Sequence, residues 1–193
     1  VGTATAAVFV WLFTTSNTAT RTTMLLCLMY ATAGEVLLSL VWKVYEYRLN
    51  NLPVYVPPGH VLLFLLGVAL APRLTAKAVN FIGFTAAVLV TYLAATGRDT
   101  LSAVLVTVFL LTLVFGRDRK LYATMFVMAL AMELYGTWLG NWQWHPAVSG
   151  TKLVTLNPPV AAGAFYGALD LLVMVTLRAA GKTASMDGPP LNH

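Results

Sequence analysis

Four side chains that can move protons sit where such groups are rare. Glu35, Glu133 and Asp170 interrupt long apolar runs, and His60 opens another directly after Pro57-Pro58-Gly59. An ionised group at the centre of a membrane-spanning helix costs about 2.5–3.5 kcal/mol on insertion scales, so such residues face the protein interior and find partners there. Glu35 lies seven residues before Trp42, and Glu133 lies seven before Gly140. At a helical rise of about 1.5 Å per residue, both sit about 10 Å below the same interface. Asp170 follows Pro158 by 12 residues, which places it roughly 18 Å down, near the midplane. Two carboxyl groups at one level can share a proton, a cation or a substrate, and their mutual repulsion separates an acid from a base. The plainer reading has each carboxyl neutral, or bonded to Ser39, Tyr135, Thr137 or backbone. His60 suits a proton shuttle or, equally, a hydrogen-bonded residue at a helix mouth.

A second constellation is aromatic. The run Trp138-Leu139-Gly140-Asn141-Trp142-Gln143-Trp144-His145-Pro146 holds three of the five tryptophans. If the stretch is extended, Trp142 and Trp144 project to one side. There they line the mouth of a pocket for an apolar or polyene-like ligand, or rest at headgroup level; Trp138, Asn141 and His145 flank them. Asn157, ahead of Pro158-Pro159, reads as the N-cap of the following helix and as a further lining residue. Upstream, Trp42–Arg48 reads as a continuation of the second helix, with Trp42, Tyr45 and Tyr47 as an interfacial belt and Lys43 beside Glu46.

Glu35, Glu133, His60 and His145 are metal-ligand types, but no HxxxH, HExxH or ExxH spacing joins them, so no metal is expected and no cofactor is indicated. Cys27 is the only cysteine, which excludes an intrachain disulfide and a CxxC motif. It reads as a small apolar side chain on the inner half of its helix, with no histidine at its depth. Gly163 and Gly167 form a GxxxG pair that permits close helix packing.

The elements that must position these residues follow from composition. The chain has 193 residues, 59% hydrophobic and 10% charged, with a mean hydropathy of +0.76; soluble domains carry about 25% charge. Disorder, a disulfide scaffold and a large soluble catalytic domain are excluded. The formal charge of +5 belongs to cytoplasmic loops and not to a nucleic-acid surface. Seven helices are expected: Val1–Phe13, Thr22–Trp42, His60–Ala71, Ala78–Thr96, Thr100–Phe115, Leu121–Leu139 and Pro158–Leu177. The first is read as a span and not as a signal-peptide core, because no basic region precedes it. The fold class is therefore all-α, a polytopic transmembrane helical bundle of about seven spans, with one domain over 1–181 and a polar tail over 182–193. An amino terminus outside puts eight Lys and Arg on the inner side and four on the outer, so the carboxyl terminus is cytoplasmic. The two long connections, Lys43–Gly59 and Gly140–Asn157, then share the outer side, and an outer site should form where they meet.

The layout Gly140-Asn141-Trp142-Gln143-Trp144, followed by a proline pair that opens a helix, resembles small bacterial membrane lycopene cyclases. Those proteins place paired carboxylates after the proline, as acids acting on a polyene. Here the stretch is Pro158-Pro159-Val160-Ala161-Ala162, without either acid, and no residue role carries over. The leading expectation is an outer-half intramembrane pocket that binds a hydrophobic lipid or isoprenoid-type molecule and acts on it by acid/base chemistry. Glu35 and Glu133 form the working pair, His60 and Asp170 support it, and Trp142 and Trp144 line the entrance. The alternative is a non-catalytic subunit of a larger membrane complex, in which the polar tail is held by a neighbouring chain. Expected partners are membrane lipids, a hydrophobic small molecule and membrane proteins; nucleic acid is not among them.

Overall fold

Apolar segments without strand-like alternation can satisfy their backbone only as helices, and the computed structural model, which describes residues 2–181, is built that way. Seven α-helices occur among the described residues: α1 (Gly2–Thr15), α2 (Thr18–Glu35), α3 (Val56–Leu70), α4 (Ala76–Ala95), α5 (Leu101–Phe115), α6 (Arg119–Trp138) and α7 (Gly163–Ala179). Helix covers 71% of the described residues. A π-helical stretch, Val36–Val41, continues α2, and a 3₁₀ turn, Ala71–Arg73, continues α3. Two strands, β1 (Tyr45–Tyr47) and β2 (Trp142–Trp144), pair antiparallel across one end of the bundle. Three helical segments are long and apolar enough to cross a membrane: Thr18–Val41, Val56–Arg73 and Ala76–Ala95. Gly2–Thr15 and Leu101–Phe115 are apolar but shorter.

Local chemistry sets the helix ends. The Asn17 side chain accepts from the Thr20 amide at 2.8 Å, and the Thr75 hydroxyl accepts from the Ala78 amide at 3.1 Å; each satisfies a donor the first turn leaves free. The end of α6 is a Schellman turn. Gly140 (φ 68°) donates to Thr137 O and Asn141 donates to Gly136 O, both at 3.0 Å. Glycine accepts the left-handed conformation this turn requires, and the chain leaves it already extended into β2.

Two expectations need correction. The second helix does not run on through Trp42–Arg48. Its last amide bond of this kind is Trp42 N to Leu37 O, Lys43 turns left-handed (φ 54°), and β1 follows. Tyr45 and Tyr47 are consequently buried and are not an interfacial belt. The seventh helix starts at Gly163, five residues after Pro158, and Asn157 does not cap it. The intervening amides are claimed from elsewhere: Val160 N donates to Asp99 Oδ2 at 3.0 Å and Ala161 N to Ser102 Oγ at 3.1 Å. Asp99, fully buried, also accepts from the Ser102 amide and hydroxyl, so it fastens the turn before α7 to the start of α5.

The core forms two clusters that meet on α6. One joins α4, α5, α6 and the strands, with Phe109 and Phe126 stacked at 4.0 Å. The other joins α2, α3, α7 and the first half of α6 around Met24, Phe64, Met125 and Leu177. Arg178 near the end of α7 pairs with Asp118 ahead of α6. Outward faces carry Phe81, Phe84, Tyr92, Val114 and Phe115, all exposed, a density of apolar surface that soluble monomers rarely show. The tail over 182–193, and the neighbouring chain expected to hold it, lie outside the described residues.

Candidate functional site

The strands read Tyr45-Glu46-Tyr47 and Trp142-Gln143-Trp144, and their register pairs Tyr45 with Trp144, Glu46 with Gln143 and Tyr47 with Trp142. Side chains alternate across a strand, so the four aromatic rings share the face toward the helices while Glu46 and Gln143 share the other. Further backbone bonds extend the pairing, from Arg48 N to Asn141 O and from His145 N to Val44 O. Cross-strand rings touch, with centroids 4.8 Å apart for Tyr45 and Trp144 and 6.0 Å for Tyr47 and Trp142. The result is an aromatic cover with its polar atoms pointed at two acids.

Each acid takes one strand. Glu35, at the last position of α2, accepts at Oε2 from the hydroxyls of Tyr45 and Tyr47, both at 2.7 Å. Glu133 on α6 accepts at Oε2 from Trp142 Nε1 (2.7 Å) and Trp144 Nε1 (3.0 Å), and at Oε1 from the Tyr166 hydroxyl of α7 (3.0 Å). Both glutamates are buried. Among the described residues, no hydrogen bond reaches Glu35 Oε1. Burial first, and the neighbouring Glu35 carboxyl second, push the Tyr45 and Tyr47 phenols well above the usual tyrosine range, so both stay protonated as donors. Gly136, one turn beyond Glu133, makes room for this arrangement: a Cβ there would run into the Trp142 indole.

Below the hairpin lies a cavity of about 390 Å³, within the range of about 300–1,000 Å³ typical of small-molecule sites. Glu35, Glu133, His60, Tyr47, Trp142 and Tyr166 supply its polar side; Val56, Leu62, Leu63, Leu66 and Met132 supply an apolar wall. Leu66 is half exposed, so this wall reaches the outside of the bundle along α3. The His60 imidazole lies flat on Tyr166, with centroids 4.7 Å apart and planes 7° from parallel. Its Nε2 is 3.7 Å from Asp170 Oδ1, both side chains buried.

The structure thus gathers Glu35, Glu133, His60 and Trp142 on one cavity, with Asp170 behind His60. Trp144 reaches Glu133 from the hairpin and borders a smaller adjoining cleft. The remaining residues expected at the site stand elsewhere. Trp138 is 78% exposed against Tyr135, because the last turn of α6 carries it to the far face. Asn141 serves the hairpin through its backbone. His145 faces outward, 3.7 Å from exposed Glu46, because strand alternation sends it opposite Trp144. Asn157 supports the site indirectly, its Oδ1 accepting from the Trp144 amide at 3.0 Å.

Tyr45, Tyr47 and Tyr166 were not anticipated. The signal for the first two was present: two aromatic-polar-aromatic triplets, one in each long connection, with the period of a strand. Nothing in the sequence marks Tyr166 apart from its neighbours on α7. The expected isolation of Cys27 is also overturned. Its sulfur, an imidazole nitrogen of His60 and an Asp170 carboxylate oxygen lie within 4.8 Å of one another, because the His60 side chain reaches from α3 toward Asp170.

Comparison with family models, with curated proteins and with solved structures found no match.

Proposed function

We propose that this chain is a multi-pass membrane protein whose seven helices all cross the bilayer, amino terminus outside and carboxyl terminus cytoplasmic, and that its cavity binds a lipid or isoprenoid-type molecule and transforms it by acid/base chemistry. One observation carries the reading: two buried acids from different helices line a single apolar-walled cavity, each held by aromatic donors. The apolar wall and its extension to the surface at Leu66 suit a guest that arrives from the lipid phase.

The two acids have different surroundings, and the difference assigns roles. Indole N–H groups only donate, so Glu133, with two indoles and a phenol directed at it, is arranged to be a carboxylate. Glu35 keeps one oxygen free of hydrogen bonds and can carry a proton there. Glu35 delivers that proton to a carbon–carbon double bond, which leaves a carbocation. The Glu133 carboxylate and the faces of Trp142 and Tyr47 offset its charge. Loss of a neighbouring C–H proton to Glu133 then completes an isomerisation in which the guest gains and loses no atoms, and exchange with solvent between turnovers takes the proton from Glu133 and returns one to Glu35. Exclusion of water by the hairpin protects the cation from hydration.

Mass spectrometry of apolar molecules that co-purify with the chain tests the reading, followed by incubation in deuterated water. Wild-type protein is expected to retain such a molecule and to place deuterium on its carbon skeleton. Glu35→Gln is expected to retain the molecule and lose the labelling. Absence of any bound apolar molecule, or undiminished labelling in both Glu35→Gln and Glu133→Gln, overturns it.

A further inference from the structure

Three helices bring a thiol, an imidazole and a carboxylate together in the middle of the bundle. Cys27 comes from α2, His60 from α3 and Asp170 from α7, and one ligand atom of each lies within 4.8 Å of the other two. All three side chains are buried, Asp170 completely. Among the described residues, His60 Nε2 and both Asp170 oxygens have no hydrogen-bond partner, although buried polar groups are almost always satisfied. The 3.7 Å between His60 Nε2 and Asp170 Oδ1 is too long for a hydrogen bond. It is close to the separation of about 3.3–3.6 Å that bond lengths of about 2.0–2.3 Å impose on neighbouring ligands of a tetrahedral ion.

We propose that Cys27, His60 and Asp170 bind one divalent transition-metal ion of the zinc class. The donor set fits the chemistry: thiolate and imidazole nitrogen select borderline ions over magnesium or calcium, and a carboxylate completes a mixed S/N/O set. Charge fits as well. A thiolate and a carboxylate cancel a dication and leave a neutral site, whereas either anion buried alone in this apolar surrounding would be uncompensated. Cys27 releases its thiol proton when the metal–sulfur bond forms, and no redox change is involved. Three protein ligands are the number that open sites keep, with the last position held by water or a guest. His60 is the ligand that also lines the cavity, while its Nε2 and both Asp170 oxygens are buried, so the ion sits beneath the cavity floor with the imidazole between the two. The flat stack of His60 on Tyr166 fixes the ring that presents Nε2. The site stands apart from the acid/base reading of Glu35 and Glu133, since neither glutamate is a ligand.

The test uses the full chain, purified in mild detergent without chelator and freed of any polyhistidine tag. Elemental analysis is expected to find about one equivalent of metal per chain, and a chelated sample is expected to take up zinc or cobalt(II) to the same ratio. Cobalt-loaded protein should show visible bands of a tetrahedral ion with a thiolate charge-transfer band in the near ultraviolet. Cys27→Ser should remove the thiolate band, and Asp170→Asn and His60→Gln should each cut retained metal several-fold while the protein still elutes as a single species. Wild-type protein that arrives without metal and takes up neither ion overturns the proposal, whether or not the variants fold. So does metal held at full occupancy by all three variants, or a cobalt spectrum without the thiolate band.

Discussion

At the scale of single residues, the site is governed by how a buried carboxyl is satisfied. Glu35 depends on two phenols and Glu133 on two indoles and a phenol. Removing one donor leaves a buried acceptor short, a loss of roughly 1–3 kcal/mol. Tyr45→Phe and Tyr47→Phe should therefore each lower thermal stability in detergent by that amount, and Trp144→Phe should do likewise. Ring size is kept in the tyrosine variants, so a larger loss would point to packing instead. Glu35, Glu133, Trp142 and Trp144 could be found from sequence because acids in apolar runs and clustered tryptophans are rare against their background. Tyr45 and Tyr47 could be seen in the sequence and were misassigned, since a helix that includes Trp42 appears to continue through them. Cys27 and His60 differ in backbone depth along the sequence, and only the reach of their side chains brings them together.

At the scale of elements, the hairpin is the unit that matters, and its geometry depends on two glycines. Gly140 holds the left-handed turn that ends α6, and Gly136 leaves the space that the Trp142 ring fills. Gly140→Ala should cost about 1–2 kcal/mol through backbone strain alone and leave the cavity intact. Gly136→Ala should do more: it displaces the indole, removes its bond to Glu133, and should shift the intrinsic tryptophan fluorescence as well as the melting temperature. A fluorescence spectrum unchanged by Gly136→Ala would show that Trp142 does not sit there. Helix positions were legible to within a few residues because apolar runs admit little else. The start of α7 was not, because the amides of Val160 and Ala161 bond to Asp99, just ahead of α5, and to Ser102 in its first turn, a contact with no local trace.

At the scale of the whole molecule, Cys27 offers a direct measure of topology. It is the only cysteine in the sequence and is 1% exposed, so a cysteine introduced elsewhere reports without background. With the amino terminus outside, Ser149→Cys should react with a membrane-impermeant maleimide in intact cells, and Lys77→Cys only after the membrane is opened. The reverse pattern would invert the proposed orientation, and equal labelling of both would remove at least one span between them. A mostly helical architecture was readable from composition. The two strands leave only the trace of two aromatic-polar-aromatic triplets, because three residues are too few to fix a strand; their mutual pairing does so.

The hairpin's bonding pattern has a bearing on how the protein is made. Glu35 is separated from its two phenols by 10 and 12 positions, and Glu133 from its indoles by 9 and 11. Each acid thus leaves the ribosome with its own escorts close behind, and one oxygen of each is answered without a distant segment; only the Tyr166 phenol reaches Glu133 from farther along the chain. The ladder that zips the two escorts together comes later, when both halves of the polypeptide are in place. Threading an acid into an oily environment is safest when its chaperoning groups travel in the same stretch of newborn chain, and this sequence is written in that order.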